Sequence, residues 1–197
     1  MGKNLVLKPQ SNPFDFAQDL RYNSLMQINF YPERDNPKFE KAAKEYAKIW
    51  TEGGDNVVKV IEKTSELKFK EKTVNAIIHD EISYYVPLKL QADISTEHKK
   101  GTLVHELCHR LVVGNNIKIK TGKTYNNWTM AIHKHIDLIL YDIWVGLYGE
   151  SFAKKEIDYE ISLWTGKGIS PYKTAWDWAL KMTKEQRQKE FRKYFEK

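Results

Sequence analysis

His105-Glu106-Leu107-Cys108-His109 is an H-E-x-x-H pentad set inside a segment built to be helical. Asp93, Ser95 and Thr96 are helix-starting residues, Val104, Leu107 and Leu111 make an apolar stripe, and Gly114-Asn115 supplies a stop. Residues four apart on a helix share one face, one turn up, so both imidazoles can reach a single metal ion while Glu106 projects to the flank. A shuffled chain with the same 6 His in 197 residues yields about 0.015 such pentads, so the pattern is read as chemistry.

The chain is long enough for one domain with a sizeable core, or for a domain with a small helical appendage. Its 41% hydrophobic and 13% aromatic content argues for a folded globule. The first residues carry too short an apolar run for a signal peptide, and Val6 stands where a myristoylation motif wants Ser or Thr. No apolar run approaches the ~20 residues of a membrane span, so a soluble, cytoplasmic protein without a membrane partner is expected. Cys108 is the single cysteine, which excludes an intrachain disulfide and a Cys-rich metal site. It is expected to be a small core residue.

The formal charge is +6, and residues 181–197 hold 7 Lys/Arg against 3 Glu. A basic tail can attract nucleic acid, but it also reads as an amphipathic helix with a solvated face, and that reading is preferred without a base-reading motif. Six tryptophans, among them Trp164, Trp176 and Trp178, are expected in core packing more than in a recognition element.

The predicted elements are strands at Leu5–Leu7 and Leu25–Phe30, and a helix from Asn36-Pro37 to Trp50 that is broken at Gly53-Gly54. A second helix follows from Asp55 to Leu67, then strands at Val74–Ile78 and Ile82–Leu88 around the turn-like His79-Asp80-Glu81. A hairpin or ordered loop at 115–125, a helix at Thr129–Leu147 and two terminal helices complete the chain. The fold class is α+β: mainly helical, with a small mixed or antiparallel sheet before the pentad. Residues 1–150 form the principal domain and 151–197 a helical extension packed on it.

Strands, then an H-E-x-x-H helix, then a second helix: over roughly Val74 to Glu150 this order resembles the zincin superfamily of zinc metallopeptidases. Asn75-Ala76 also resembles the edge-strand segment with which several zincins hold substrate backbone. The resemblance implies Zn2+ as cofactor, His105 and His109 as ligands, Glu106 as general base and acid, and a peptide or protein substrate.

A catalytic zinc usually takes three protein ligands, and here the known patterns diverge. Metzincins would place Gly and His at 112 and 115, where this chain has Val112 and Asn115. Gluzincins use a Glu on the following helix, yet no Glu occurs between Glu106 and Glu150; peptide deformylases need an upstream Cys. The following helix offers two pairs. His133 with Asp137 four residues on resembles the gluzincin ligand and its orienting aspartate, with His in place of Glu; a His on this helix is also used by SprT-like proteases. His135 with Asp142 lies on the opposite flank. The first pair is favoured, with Asp137 as direct ligand a third option and Glu150 placed too far along. Tyr125, Tyr141, Tyr148 and His79 are the candidates for an oxyanion donor. The rival to hydrolysis is a zinc-stabilised binding module, associated with nucleic acid through the tail; Glu106, which zinc binding does not require, argues against it.

Overall fold

The computed structural model describes residues 26–195. The strand expected at Leu5–Leu7 lies outside them. Asn36 caps helix α1 (Pro37–Ser65), its side-chain oxygen accepting from Lys38 N at 2.9 Å, and Pro37 occupies the first turn, where a missing N–H costs nothing. The break expected at Gly53-Gly54 does not occur. A Cβ on Gly54 would lie 2.7 Å from the Trp50 ring, so the glycine gives that indole room to fold along the helix. Buried Phe39, Ala42, Tyr46, Val57, Val58 and Ile61 hold both halves against one core, which outweighs the ~1 kcal/mol helix penalty of each glycine.

The sheet corrects the expected pairing. Strands β1 (Gln27–Pro32), β2 (Thr73–His79) and β3 (Leu88–Gln91) lie in the order β1-β2-β3, and both pairs are parallel. α1 supplies the crossover that a parallel β1–β2 pair requires. The segment expected as a strand from Ile82 is instead mostly a loop. Pro87 has no N–H to give a ladder, and residues 80–87 return along the sheet so that β3 starts at Leu88 and runs with β2. β2 is therefore central: Asn75-Ala76 pairs with Asn29-Phe30 on one side, and Ala76 with Leu88 on the other. From Ala76 to Ile78 its backbone offers no free edge to a substrate.

The pentad helix α2 (Thr96–Gly114) starts at Ser95, whose hydroxyl accepts from His98 N at 3.1 Å, and ends where Asn115 N returns to Leu111 O. Of the hairpin or loop expected at 115–125, residues 115–124 form a loop, and Ile117 within it is buried. α3 (Tyr125–Tyr148) begins a turn earlier than its apolar stripe suggests because Thr124 caps it. Three helices follow where two were expected: α4 (Glu150–Ser162), α5 (Pro171–Ala179) and α6 (Lys184–Arg192). All three pack on α3, and Trp176 of α5 stacks on Trp144 of α3 at 5.8 Å, so residues after 150 share the core of the preceding part. Among the described residues no helix is long and apolar enough to cross a membrane.

Candidate metal centre

α2 divides its side chains as the sequence implies. Leu103, Val104, Leu107 and Leu111 enter the core, and so does Cys108, whose thiol is pushed up by burial and by the charges of Glu106 and Glu160. His105, Glu106 and His109 line a cavity of about 520 Å³. The Nε2 atoms of His105 and His109 approach to 2.8 Å. α3 brings His133 to the same point, its ring centre 5.1 Å from His105 and 5.4 Å from His109. These three buried histidines offer nitrogens within 4.8 Å of one another and could hold a metal ion.

The outward nitrogens of two of these rings, His105 and His133, face carboxylates. His105 Nδ1 bonds Glu160 of α4, and Glu160 accepts a second bond from Trp176 Nε1 at 2.8 Å. His133 Nδ1 stands 3.7 Å from the fully buried Asp137, too far for a hydrogen bond; among the described residues neither Nδ1 nor either Asp137 oxygen has a hydrogen-bond partner. His133, Asp137 and Glu160 form a second, overlapping group that could hold an ion. Tyr85 stacks on His109 at 4.8 Å, and Tyr172 of α5 meets His133 edge-on at 4.6 Å. The aromatic neighbours pack against the rings of His109 and His133, while Glu160 fixes which nitrogen of His105 carries the proton.

The electrostatics separate the groups. Burial pushes the Glu106 carboxyl up to about 7 against the opposing pull of His105, with Glu160 adding to the rise. Burial would lower His105, but the charge and hydrogen bond of Glu160 raise it to about 9. Burial, helped by the charge of His105, drives His133 down to about 3 and His109 well below its ordinary value. Two of the imidazoles are thus neutral and have lone pairs to offer near neutral pH. Burial and the neighbouring Glu160 raise Asp137 well above the usual carboxylate range.

The rival flank of α3 is occupied elsewhere. His135 donates from Nδ1 to Ala131 O at 2.6 Å and packs on Tyr194, and Asp142 pairs with Arg187. Tyr125 lines the cavity, whereas Tyr141 lies under Arg187 and Tyr148 packs on Phe152. His79 is buried at the end of β2, outside the cavity lining. Glu160, Tyr85 and Tyr172 escaped the sequence reading because no spacing relates them to the pentad, and Trp176, expected in core packing and buried there, also bonds Glu160. The one signal was the i, i+4 pair Glu156 and Glu160, two acids on one face of an otherwise mixed helix.

No family model, curated protein or solved structure matches this chain. The chemistry rests on the geometry.

That geometry depends on how closely α4 approaches α2. Glu156, paired with His98 at 2.9 Å, lies over Gly101, where an added Cβ would fall 2.0 Å from Oε2 and 2.8 Å from Cγ. Gly→Ala in an open helix gains up to ~1 kcal/mol. Here Gly101→Ala is expected to cost ~1–3 kcal/mol instead, as overpacking does, because the buried Glu156 must shift as far back as Cγ and give up its bond to His98. Urea unfolding of the variant checks the sign, and a gain in stability would refute the close approach.

Proposed function

We propose that this protein is a zinc metallopeptidase in which His105, His109 and His133 hold the metal and Glu106 is the general base and acid. The observation that carries the reading is the convergence of three buried imidazoles beside a buried carboxylate on the floor of an open cavity. The donor set suits zinc: nitrogen ligands, with one ring anchored through its far nitrogen by a carboxylate. The His133–Asp137–Glu160 group is a poorer site, because Glu160 is already engaged by His105 and Trp176. When bound, zinc supplies polarisation of a carbonyl and activation of water.

The remaining steps belong to the chain. Glu106 takes a proton from the attacking water and delivers it to the leaving amine; its carboxyl, raised by burial to about 7, is matched to that exchange near neutral pH. Glu160 holds the Nδ1 proton of His105 and so leaves Nε2 as the ligating atom. Tyr172, whose hydroxyl is pushed up by burial and stays protonated, lines the cavity beside His133 and is our choice of donor to the developing oxyanion. The support for hydrolysis over a zinc-stabilised binding module is that Glu106 faces a chamber large enough for substrate, where a purely structural site would be closed.

Metal binding tests the ligand assignment. His133→Ala is expected to weaken zinc binding more than His135→Ala, which removes only a packed ring and its bond to Ala131. Glu160→Gln should cost ~10–100-fold in affinity, the usual effect of losing the partner of a ligating histidine. Competition titration against a chromogenic chelator orders the three variants. Equal affinity in His133→Ala and wild type would remove His133 from the site.

A further inference from the structure

The sheet edge beside the cavity is already filled by the chain itself. β3 is an outer strand, and its outward main-chain groups would be the natural template for an extended peptide. Lys89 exchanges both bonds with Tyr84: Tyr84 N donates to Lys89 O at 2.9 Å and Lys89 N to Tyr84 O at 2.7 Å. Gln91 N donates to Ser83 Oγ at 2.9 Å, and Gln91 O accepts from the Tyr46 hydroxyl at 3.0 Å. Every outward donor and acceptor of Lys89 and Gln91 is taken, so a peptide could pair there only by displacing residues 83–84. β2 is paired on both sides from Ala76 to Ile78.

What the cavity offers instead is apolar surface. Tyr84 and Tyr85 form one wall, Trp128 and Ile132 of α3 another, and Leu163 closes the side beyond α4. The mouth carries exposed apolar side chains, Ile82 at 60% and Tyr125 at 63% of their full accessibility. A chamber of about 520 Å³ lies in the ~300–1,000 Å³ range of pockets that enclose most of a ligand, and exceeds what a water or small ion needs.

We propose that the substrate is a polypeptide segment anchored by a large apolar or aromatic side chain in this chamber, next to the bond presented to the histidine cluster, and not by strand addition at β3. The inference rests on the metallopeptidase reading and deepens it. Anchoring by a side chain makes discrimination depend on buried apolar contact, while the backbone to either side stays unpaired.

The zinc-loaded full chain is assayed with a positional-scanning library of fluorescence-quenched peptides, and the same peptides are bound to the Glu106→Gln protein and followed by fluorescence anisotropy. Replacing the anchor Phe, Leu or Trp by Ala is expected to lower kcat/KM by ~10²-fold, with a parallel loss of binding. N-methylation of amides two or more residues from the cleaved bond should change either quantity by less than ~2-fold, whereas each lost edge-strand bond would cost ~2–10-fold. Leu163→Asp should weaken the apolar preference. Indifference to the anchor together with sensitivity to N-methylation overturns the proposal, as does an unchanged ranking in Leu163→Asp. Cleavage without side-chain ranking defeats the anchor and leaves the peptidase reading standing. Ranked binding without cleavage by wild type defeats the peptidase reading and leaves the chamber standing. Neither binding nor cleavage defeats both.

Discussion

Glu106→Gln is expected to lower turnover of the best peptide substrate by ~10²–10⁴-fold while leaving fold and metal content intact, because general acid–base catalysis contributes on that scale. The amide keeps the shape of the carboxylate in its buried position and removes the group that accepts the proton. Glu106 is not among the three side chains that converge at 4.8 Å, so zinc content should match wild type by elemental analysis. Stability should change little or rise slightly, since burial opposes the carboxylate's charge and the amide carries none. Quenched-peptide turnover together with metal content separates the cases. Wild-type turnover in Glu106→Gln would remove the residue from the mechanism, and loss of zinc would make it part of the metal site.

The largest effect on stability is expected away from the cavity, at Arg187→Met. Arg187 of α6 grips Asp142 of α3 with two bonds, Nε to Oδ2 at 3.1 Å and an η nitrogen to Oδ1 at 2.8 Å, and both side chains are over nine-tenths buried. Its other η nitrogen donates to Met182 O at 2.6 Å, and the guanidinium lies over the Tyr141 ring. Removing the cation leaves Asp142 buried without its partner, a change that costs ~3–5 kcal/mol. For a chain of this size that is roughly a 6–20 °C fall in Tm. Asp142→Leu added to Arg187→Met should recover much of the loss, since an apolar pair needs no compensation. Thermal and urea unfolding of the single and double variants measure both numbers. A single variant within ~1 kcal/mol of wild type would show that water reaches Asp142.

This pair explains why the basic tail was legible only in part. Its composition implied an amphipathic helix, and α6 is one, with a capping box at Thr183 and Gln186. The arginine that looks like one more surface charge is buried, and it occupies the acid that stood as a rival ligand partner on α3. Periodicity separates the two flanks of a helix but carries no information on what arrives from a segment 45 residues away. His133 and Asp137 were identifiable as a flank because i, i+4 spacing is local. That this flank turns toward the pentad follows from the packing of α3 against α2 and α5.

The sheet shows the same division. The β-branched run at 74–78 marks β2 correctly, whereas the run at Ile82–Leu88 read as a strand is mostly loop, β3 begins only at Leu88, and it runs parallel to β2 where a turn-like tripeptide suggested a hairpin. Pairing direction is set by where the intervening chain travels, and residues 80–87 travel back along the sheet before β3 begins. Gly53-Gly54 misled in a related way: local propensity favours a break, and a continuous buried face overrode it.

The residues by themselves determined the pentad helix, its caps, its apolar face and the placing of two histidines one turn apart with a glutamate beside them, because each depends on spacing within four residues along one helix. Only the tertiary structure decided that His133 joins them and His135 does not, that Glu160 from α4 anchors His105, and that the β3 edge is closed. The helix outcomes rest on side chains that are 24 to 58 positions apart in the chain, such as His109 with His133, His105 with Glu160 and His98 with Glu156. At such separations it is the packing of whole helices, and not local spacing, that selects which polar groups meet.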